Sequence, residues 1–234
     1  MPQVRIYIQD VIKKNKYIYL EKQNIHYLKN VMRKKSGDNI LVFNDNEEWL
    51  SKCFFEDEIK LNPEKLLRIK ENVKDIWICF GLVKTRNIDF LVEKVSEIGV
   101  KKIFPMITSF SNRIPLNYER LKKISIEAVE QSNSLSLPLI SKTKNIKEIL
   151  NDWEEDRLII FCDEKKGIDI SEINRNEYNF KKIAIFVGPI GGWSEEDRKL
   201  INKKNNLRIN LGSNIMKADT AAIFSLSIFK GYLL

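Results

Sequence analysis

Residues 183–226, IAIFVGPIGGWSEEDRKLINKKNNLRINLGSNIMKADTAAIFSL, constrain this chain more than any other segment. Two apolar runs, 183–187 and 207–211, are each stopped by glycine and each followed by a helix-like stretch, so the pattern is strand, loop, helix, repeated. Gly188, Gly191 and Gly192 in the first loop and Gly212 in the second let backbone approach a ligand that any Cβ would hold off. Ser194 is the expected N-cap of the helix after the first loop, with Glu195, Glu196 and Asp197 in its first turn. Carboxylates there repel a pyrophosphate, and GPIGG is neither the G-x-G-x-x-G of a dinucleotide site nor a Walker A loop. The ligand expected at these loops is uncharged or cationic.

The same alternation extends upstream. Residues 76–83 read as a buried strand, and in NIDFLVEKVSEIG the side chains of Ile88, Leu91, Val92, Val95 and Ile98 fall at helical spacing before a terminating Gly99. Residues 102–108 read as a strand, 118–132 as an amphipathic helix and 158–162 as a further strand. Strands alternating with helices of this length mean an α/β fold, a parallel sheet covered on both faces. Ligands of such sheets bind beyond the carboxyl ends of the strands, which selects the loops at Thr108, Cys162, Gly188 and Gly212. A single histidine and three scattered cysteines leave little for a hydrolytic triad, a disulfide frame or a metal site.

The first seventy or so residues read differently. Residues 4–8, 38–43 and 48–55 are short strands separated by turn chemistry, and a small β-barrel is the economical fold. Between them a helix is expected over 26–35, with Ile25, Leu28, Val31 and Met32 inward. From residue 22 to 37 there are five Lys or Arg and no acidic residue, which suits phosphate contacts or, equally, a solvated helix face. His26 reads as a packed or capping residue. Residues 62–74 suit a crossing strand or an inter-domain connection. A net charge of +8 fits a polyanionic partner, although a chain this rich in Lys, Ile and Asn carries that excess by composition alone. With no apolar signal core and no apolar stretch of roughly 20 residues, a soluble protein of the reducing cytosol is expected.

GPIGGWSEED followed by LGSNIMKADTA resembles the paired signature of the RNA methyltransferases with a trefoil knot, the SPOUT superfamily. Within it the chain is most similar to the ribosomal small subunit methyltransferase E family, whose pattern is roughly G-P-E-G-G-[FW]-[ST]-x-x-E and then L-G-x-R-I-L-R-x-E-T-A. Ile190 stands where that pattern has Glu, Asn214 and Lys217 where it has Arg, and Asp219 where it has Glu. KTRNIDFLVEKVSEIGVKKIFPMIT and ISIEAVEQS are similar as well, which puts Lys84, Glu97, Glu127, Glu130 and Gln131 on family positions. Glu127 and Glu130 otherwise read as a solvated edge. HYLKNVMRKKSGD is similar to a stretch the family places in a PUA-like barrel.

The resemblance implies a PUA-like β-barrel over residues 1–71 that binds RNA and a trefoil-knotted SPOUT domain over 72–234. It implies S-adenosylmethionine as cofactor, with Phe161, Cys162, Gly188, Gly191, Gly192, Leu211, Gly212 and Ile215 as its binding residues. The implied reaction is methylation of N3 of a uridine in small-subunit (16S) ribosomal RNA, on free RNA or the assembled subunit, by a cytoplasmic homodimer. A cation near that base stabilises the anion that develops as N3 loses its proton. Lys217 is the candidate, with Arg113 as a further catalytic clamp; Asp219 acts as base, orients Lys217 or is a simple first-turn carboxylate. Arg5, Arg33, Lys34 and Lys35 are the expected RNA contacts. Two other classes stay open: a non-catalytic RNA-binding or assembly protein on the same fold, to which Ile190 and Asn214 point, and an enzyme using a different nucleotide on the same kind of sheet.

Overall fold

The computed structural model describes residues 4–56, 58–70, 74–174 and 181–232. Two compact units emerge, 1–72 together with 129–137, and 73–128 together with 138–234. The expected domain boundary between residues 71 and 72 lies outside the described residues.

In the first unit, strands β1 (Arg5–Tyr7), β2 (Ile18–Tyr19), β3 (Asn39–Phe43), β4 (Glu47–Phe55) and β5 (Ile59–Ile69) form one sheet in the order β1-β3-β4-β5-β2. Only β1 against β3 is parallel. Alternate residues point inward, so Ile40, Val42, Cys53, Ile59 and Leu61 bury against Val4, Ile6 and Leu28. Residues 62–69 belong to the sheet and are not a connection. Pro63, which has no N–H to donate, is tolerated because it pairs with Ser51 beside a register shift in the ladder.

The basic helix also departs from expectation. It begins earlier, as α1 (Lys22–His26), and continues as a wider π-helical turn over Tyr27–Val31. The wider turn shifts the phase, so Leu28 is buried whereas Val31 is 58% exposed. Arg33 takes φ 51°, and Lys34 N–H then donates to the Leu28 carbonyl at 2.9 Å, closing the helix before residue 35. His26 is exposed.

Arg5, expected to contact RNA, is instead a core residue. Its Nε donates to Glu48 at 2.8 Å and its remaining nitrogens to the carbonyls of Val129, Glu130 and Ser134 at 2.8–2.9 Å, with the guanidinium 4.1 Å above the Phe43 ring. It is 7% exposed, and four of its five N–H groups are already donated within the protein. Burial pushes the Glu48 carboxyl up, but hydrogen bonds from Arg68 and Arg5 more than offset this and hold it below the usual carboxylate range. Glu130 is tied in too, accepting from Tyr7 N–H at 2.8 Å, while Glu127 is solvated.

In the second unit, the parallel sheet runs β11-β13-β10-β12-β6-β7-β8, where β6 is Asp75–Gly81, β7 Lys102–Ile107, β8 Leu139–Ile140, β10 Leu158–Cys162, β11 Ile168–Asp169, β12 Lys182–Val187 and β13 Asn206–Asn210; the two-residue β9 (Lys144–Asn145) also pairs with β7. The central strands are apolar throughout 76–80, 158–162 and 183–187 because both faces are covered there. Ile76, Ile78, Phe80, Ile183 and Ile185 pack beneath α2 (Thr85–Ile98), α3 (Tyr118–Gln131) and α6 (Ala218–Tyr232). Cys79, Phe161, Ala184 and Phe186 face α4 (Ile146–Asn151) and α5 (Glu195–Ile201). This is the expected α/β sheet with helices on both sides. Among the described residues no helix is long and apolar enough to cross a membrane.

Arg5→Ala leaves Glu48 buried with Arg68 as its remaining ion-pair partner, so unfolding free energy should fall by about 3 kcal/mol in urea titration. A loss below 0.5 kcal/mol would show that the guanidinium carries no such load.

Candidate functional site

β10 lies between β12 and β13, and Cys162 is in register with Val187 on one side and Ile209 on the other. The three strands therefore end level. Just beyond those ends is a cavity of about 570 Å³, within the roughly 300–1,000 Å³ usual for small-molecule sites. Cys162, Gly188, Gly191, Gly192, Leu211, Ile215, Lys217 and Asp219 all line it.

The other expected site residues lie elsewhere. Phe161 is one position before Cys162 and so points to the opposite face, fully buried with its ring edge-on to Trp193 at 5.2 Å. Gly212 adjoins the lining without belonging to it, and Arg113 is exposed on the loop between β7 and α3. Arg33 and Lys35 are exposed in the first unit and Lys34 is half-buried.

The glycines divide into two kinds. A Cβ on Gly188 would come within 3.0 Å of the Trp193 indole, and one on Gly191 within 3.0 Å of Phe110 Cβ, so these two make room for protein side chains. Gly192 at φ 71° and Gly212 at φ 113° hold left-handed conformations that side chains disfavour. A Cβ on Gly192 would also sit 3.0 Å from Glu164 Oε1.

Hydrogen bonds lock the loops together. Ser194 caps α5 as the sequence implied, and Asp197 completes a reciprocal box with it. Trp193 Nε1 donates to the Cys162 carbonyl at 2.9 Å. Asp163, 1% exposed, accepts from Arg198 Nε at 2.9 Å and from Arg208 Nε at 2.8 Å, while Arg198 also donates to the Trp193 carbonyl. Burial raises the Asp163 carboxyl, yet the Arg198 and Arg208 hydrogen bonds prevail and its pKa is net lowered. The hydrogen bond to Asp163 in turn raises Arg198. Burial pushes the Cys162 thiol up to about 12, so it lines the cavity as a neutral group.

Asp219 Oδ2 accepts from Asn87 at 2.8 Å and Oδ1 from Thr220 N–H at 2.9 Å. Lys217 immediately precedes α6 and is exposed. Lys84, Asn87, Asp163, Glu164 and Asn210 also line the cavity although none was a candidate. Asp163 and Glu164 directly follow a strand end, which was the available signal; Asn87 had none, since its role depends on α2 meeting α6. With Glu164 and Asp219 beside Lys84 and Lys217, the lining offers charges of both signs and suits a zwitterion better than a simple cation. Among the described residues no group of three or more His, Cys, Asp or Glu could hold a metal ion.

The chain matches a family described as RNA methyltransferase domain over residues 70–230 and one described as RNA methyltransferase PUA domain over residues 20–53. It is 32% identical to ribosomal RNA small subunit methyltransferase E of Rickettsia conorii, covering 95% of this chain and 93% of that protein. It is 31% identical to ribosomal RNA small subunit methyltransferase E 2 of Borreliella burgdorferi, covering 89% and 88%. Among solved structures it is similar in fold to ribosomal RNA small subunit methyltransferase E from Neisseria gonorrhoeae bound to S-adenosyl methionine, with a TM-score of 0.84, 20% identity and coverage of 98% and 97%.

Asp163→Asn removes a buried charge partner of two arginines and should cost about 3 kcal/mol at neutral pH. Because the folded pKa is depressed, the wild-type advantage is present above the unfolded value near 3.9 and is lost as pH falls through the lower folded value. Urea titrations of both proteins from pH 7 to pH 3 should show the gap constant and then narrowing below about pH 4; a gap independent of pH would refute the assignment.

Proposed function

Because the chain belongs to the ribosomal RNA small subunit methyltransferase E family, we propose that it transfers the methyl group of S-adenosylmethionine to N3 of a uridine in small-subunit ribosomal RNA. The observation that carries this is the gathering of eight expected residues around one cavity beyond the level ends of three parallel strands. The site suits the cofactor on its own terms: a volume of the right order, backbone-lined glycine loops for a flat nucleoside, and acidic and basic groups for its two charged ends. Bound there, S-adenosylmethionine supplies a sulfonium-activated methyl that needs little more than positioning.

The protein's own contribution centres on charge. Lys217 offers an ammonium at the cavity, where it stabilises negative charge developing on the uracil as N3 gives up its proton. Asp219, with both oxygens already accepting, anchors the start of α6 to Asn87 and thereby positions Lys217. Lys217 is exposed on the cavity lining. Arg113 serves as an RNA clamp from its exposed loop. Residues 1–71 act as the RNA-binding PUA-like domain, with Arg33, Lys34 and Lys35 on phosphates. Trefoil threading of 183–226, action on free RNA or the assembled subunit in the cytoplasm, and a homodimer belong to the same reading. Ile223 and the 37%-exposed Phe224 leave an apolar strip on α6 for the dimer, which light scattering checks.

Nucleoside mass mapping of small-subunit RNA after incubation with protein and cofactor should reveal 3-methyluridine. Lys217→Ala should bind RNA within a few fold of wild type but slow single-turnover methylation by roughly a hundredfold. Wild-type speed in that variant would remove the cation from the mechanism. Replacing Arg33, Lys34 and Lys35 together by Ala should lower the log–log salt slope of RNA binding by about two to three, while an unchanged slope would place the phosphate contacts elsewhere.

A further inference from the structure

Phe110 is an aromatic side chain that is 55% exposed, in the loop between β7 and α3. The turn that carries it is held from both sides. Thr108 N–H donates to Ser111 Oγ at 3.0 Å, and Asn112 N–H donates to the Leu82 carbonyl at 3.1 Å. Ser109 donates from its N–H and its hydroxyl to the two Asp197 oxygens at 3.3 and 3.1 Å, and its Oγ lies 2.8 Å from Ser194 Oγ. The turn is thus tied to the segment after β6 and to the cap of α5, so the ring is presented in advance of any ligand. Its Cβ is 3.0 Å from where a Gly191 side chain would begin, which puts it against the first glycine loop.

Two more exposed apolar side chains belong to the cavity lining itself, as does the Gly191 against which Phe110 packs. Ile190 is 70% and Ile215 90% exposed, and both line the cavity. Two apolar groups of the lining, and Phe110 packed against the lining residue Gly191, thus come from three separate loops beside a cavity whose lining carries charges. A flat ligand with an apolar face and a polar edge fits that combination, and a nucleobase is such a ligand. N3 of uridine lies on the pairing edge, so a base methylated there must leave its pair and its stack, and its face then needs a new apolar partner.

We infer that Phe110 is the platform on which the accepting uracil stacks, with Ile190 extending the apolar rim beside it. The inference rests on the uridine reading proposed above. It also accounts for Ile190 in place of the glutamate of the resembling pattern, since a carboxylate would make the rim polar.

Single-turnover methylation of small-subunit RNA with labelled S-adenosylmethionine tests it. Phe110→Ala should raise the half-saturating RNA concentration about tenfold or more while calorimetric affinity for S-adenosylmethionine stays unchanged. Phe110→Trp should restore RNA affinity, and its added indole emission should be quenched by RNA because stacking on a base quenches it. An unchanged half-saturating concentration in Phe110→Ala overturns the inference, as does a change confined to the oligomeric mass. A wild-type protein that binds S-adenosylmethionine yet transfers no methyl to RNA overturns the reading beneath it, and the inference with it.

Discussion

Cys162 in β10 is matched in register to Val187 of β12 and to Ile209 of β13, so three lengths of backbone leave the sheet at one height and their loops must share the space beyond. What keeps those loops apart by one ligand's width is the carboxylate of Asp163, buried at the first position past β10. It receives Arg198 from α5 and Arg208 from β13, and Arg198 reaches on to the Trp193 carbonyl at the end of the first glycine loop. An unpaired carboxylate at that depth would cost several kcal/mol. The pairing therefore fixes all three loops as a single frame, and the cavity is the space that frame leaves.

The cavity's chemistry follows from which side chains the frame leaves unsatisfied. Asp163 is saturated, Asp219 is hydrogen-bonded to Asn87 and to backbone, and Cys162 is a neutral thiol. Glu164 lies 3.7 Å from Arg198, and the lysines Lys84 and Lys217 remain exposed along the lining. Such a site has no group built for nucleophilic attack, but it can hold a charged ligand and offer a cation to a developing anion. That division of roles matches methyl transfer, where the cofactor brings the reactive group and the protein brings position and field.

Local pattern predicted well wherever one element decides the outcome. The strand at 158–162, the cap at Ser194 and the helix ending at Gly99 follow from periodicity and capping chemistry, and the structure has them. Predictions failed where a partner distant in sequence decides. Arg5 looked like a surface cation because nothing near it in the chain shows that carbonyls at 129, 130 and 134 will surround it. Phe161 was assigned to the cofactor with its neighbour Cys162, although strand alternation sends adjacent side chains to opposite faces. Gly188 and Gly191 read as room for a ligand, whereas Trp193 and Phe110 occupy the space a Cβ would take there. The helix near residue 30 was misjudged because a π-helical turn shifts the buried stripe without any mark in composition.

Isothermal titration of S-adenosylmethionine into the wild-type protein and into Gly212→Val tests the central claim, that the frame of glycine loops is a cofactor site. A branched side chain at φ 113° strains the loop by about 1–3 kcal/mol while meeting no neighbour within 4 Å. The account predicts one site per chain in the wild type and loss of measurable heat in a variant that remains folded by circular dichroism. No binding by the wild type, or equal affinity in the folded variant, would contradict it and favour an RNA-binding protein that keeps the fold without the chemistry.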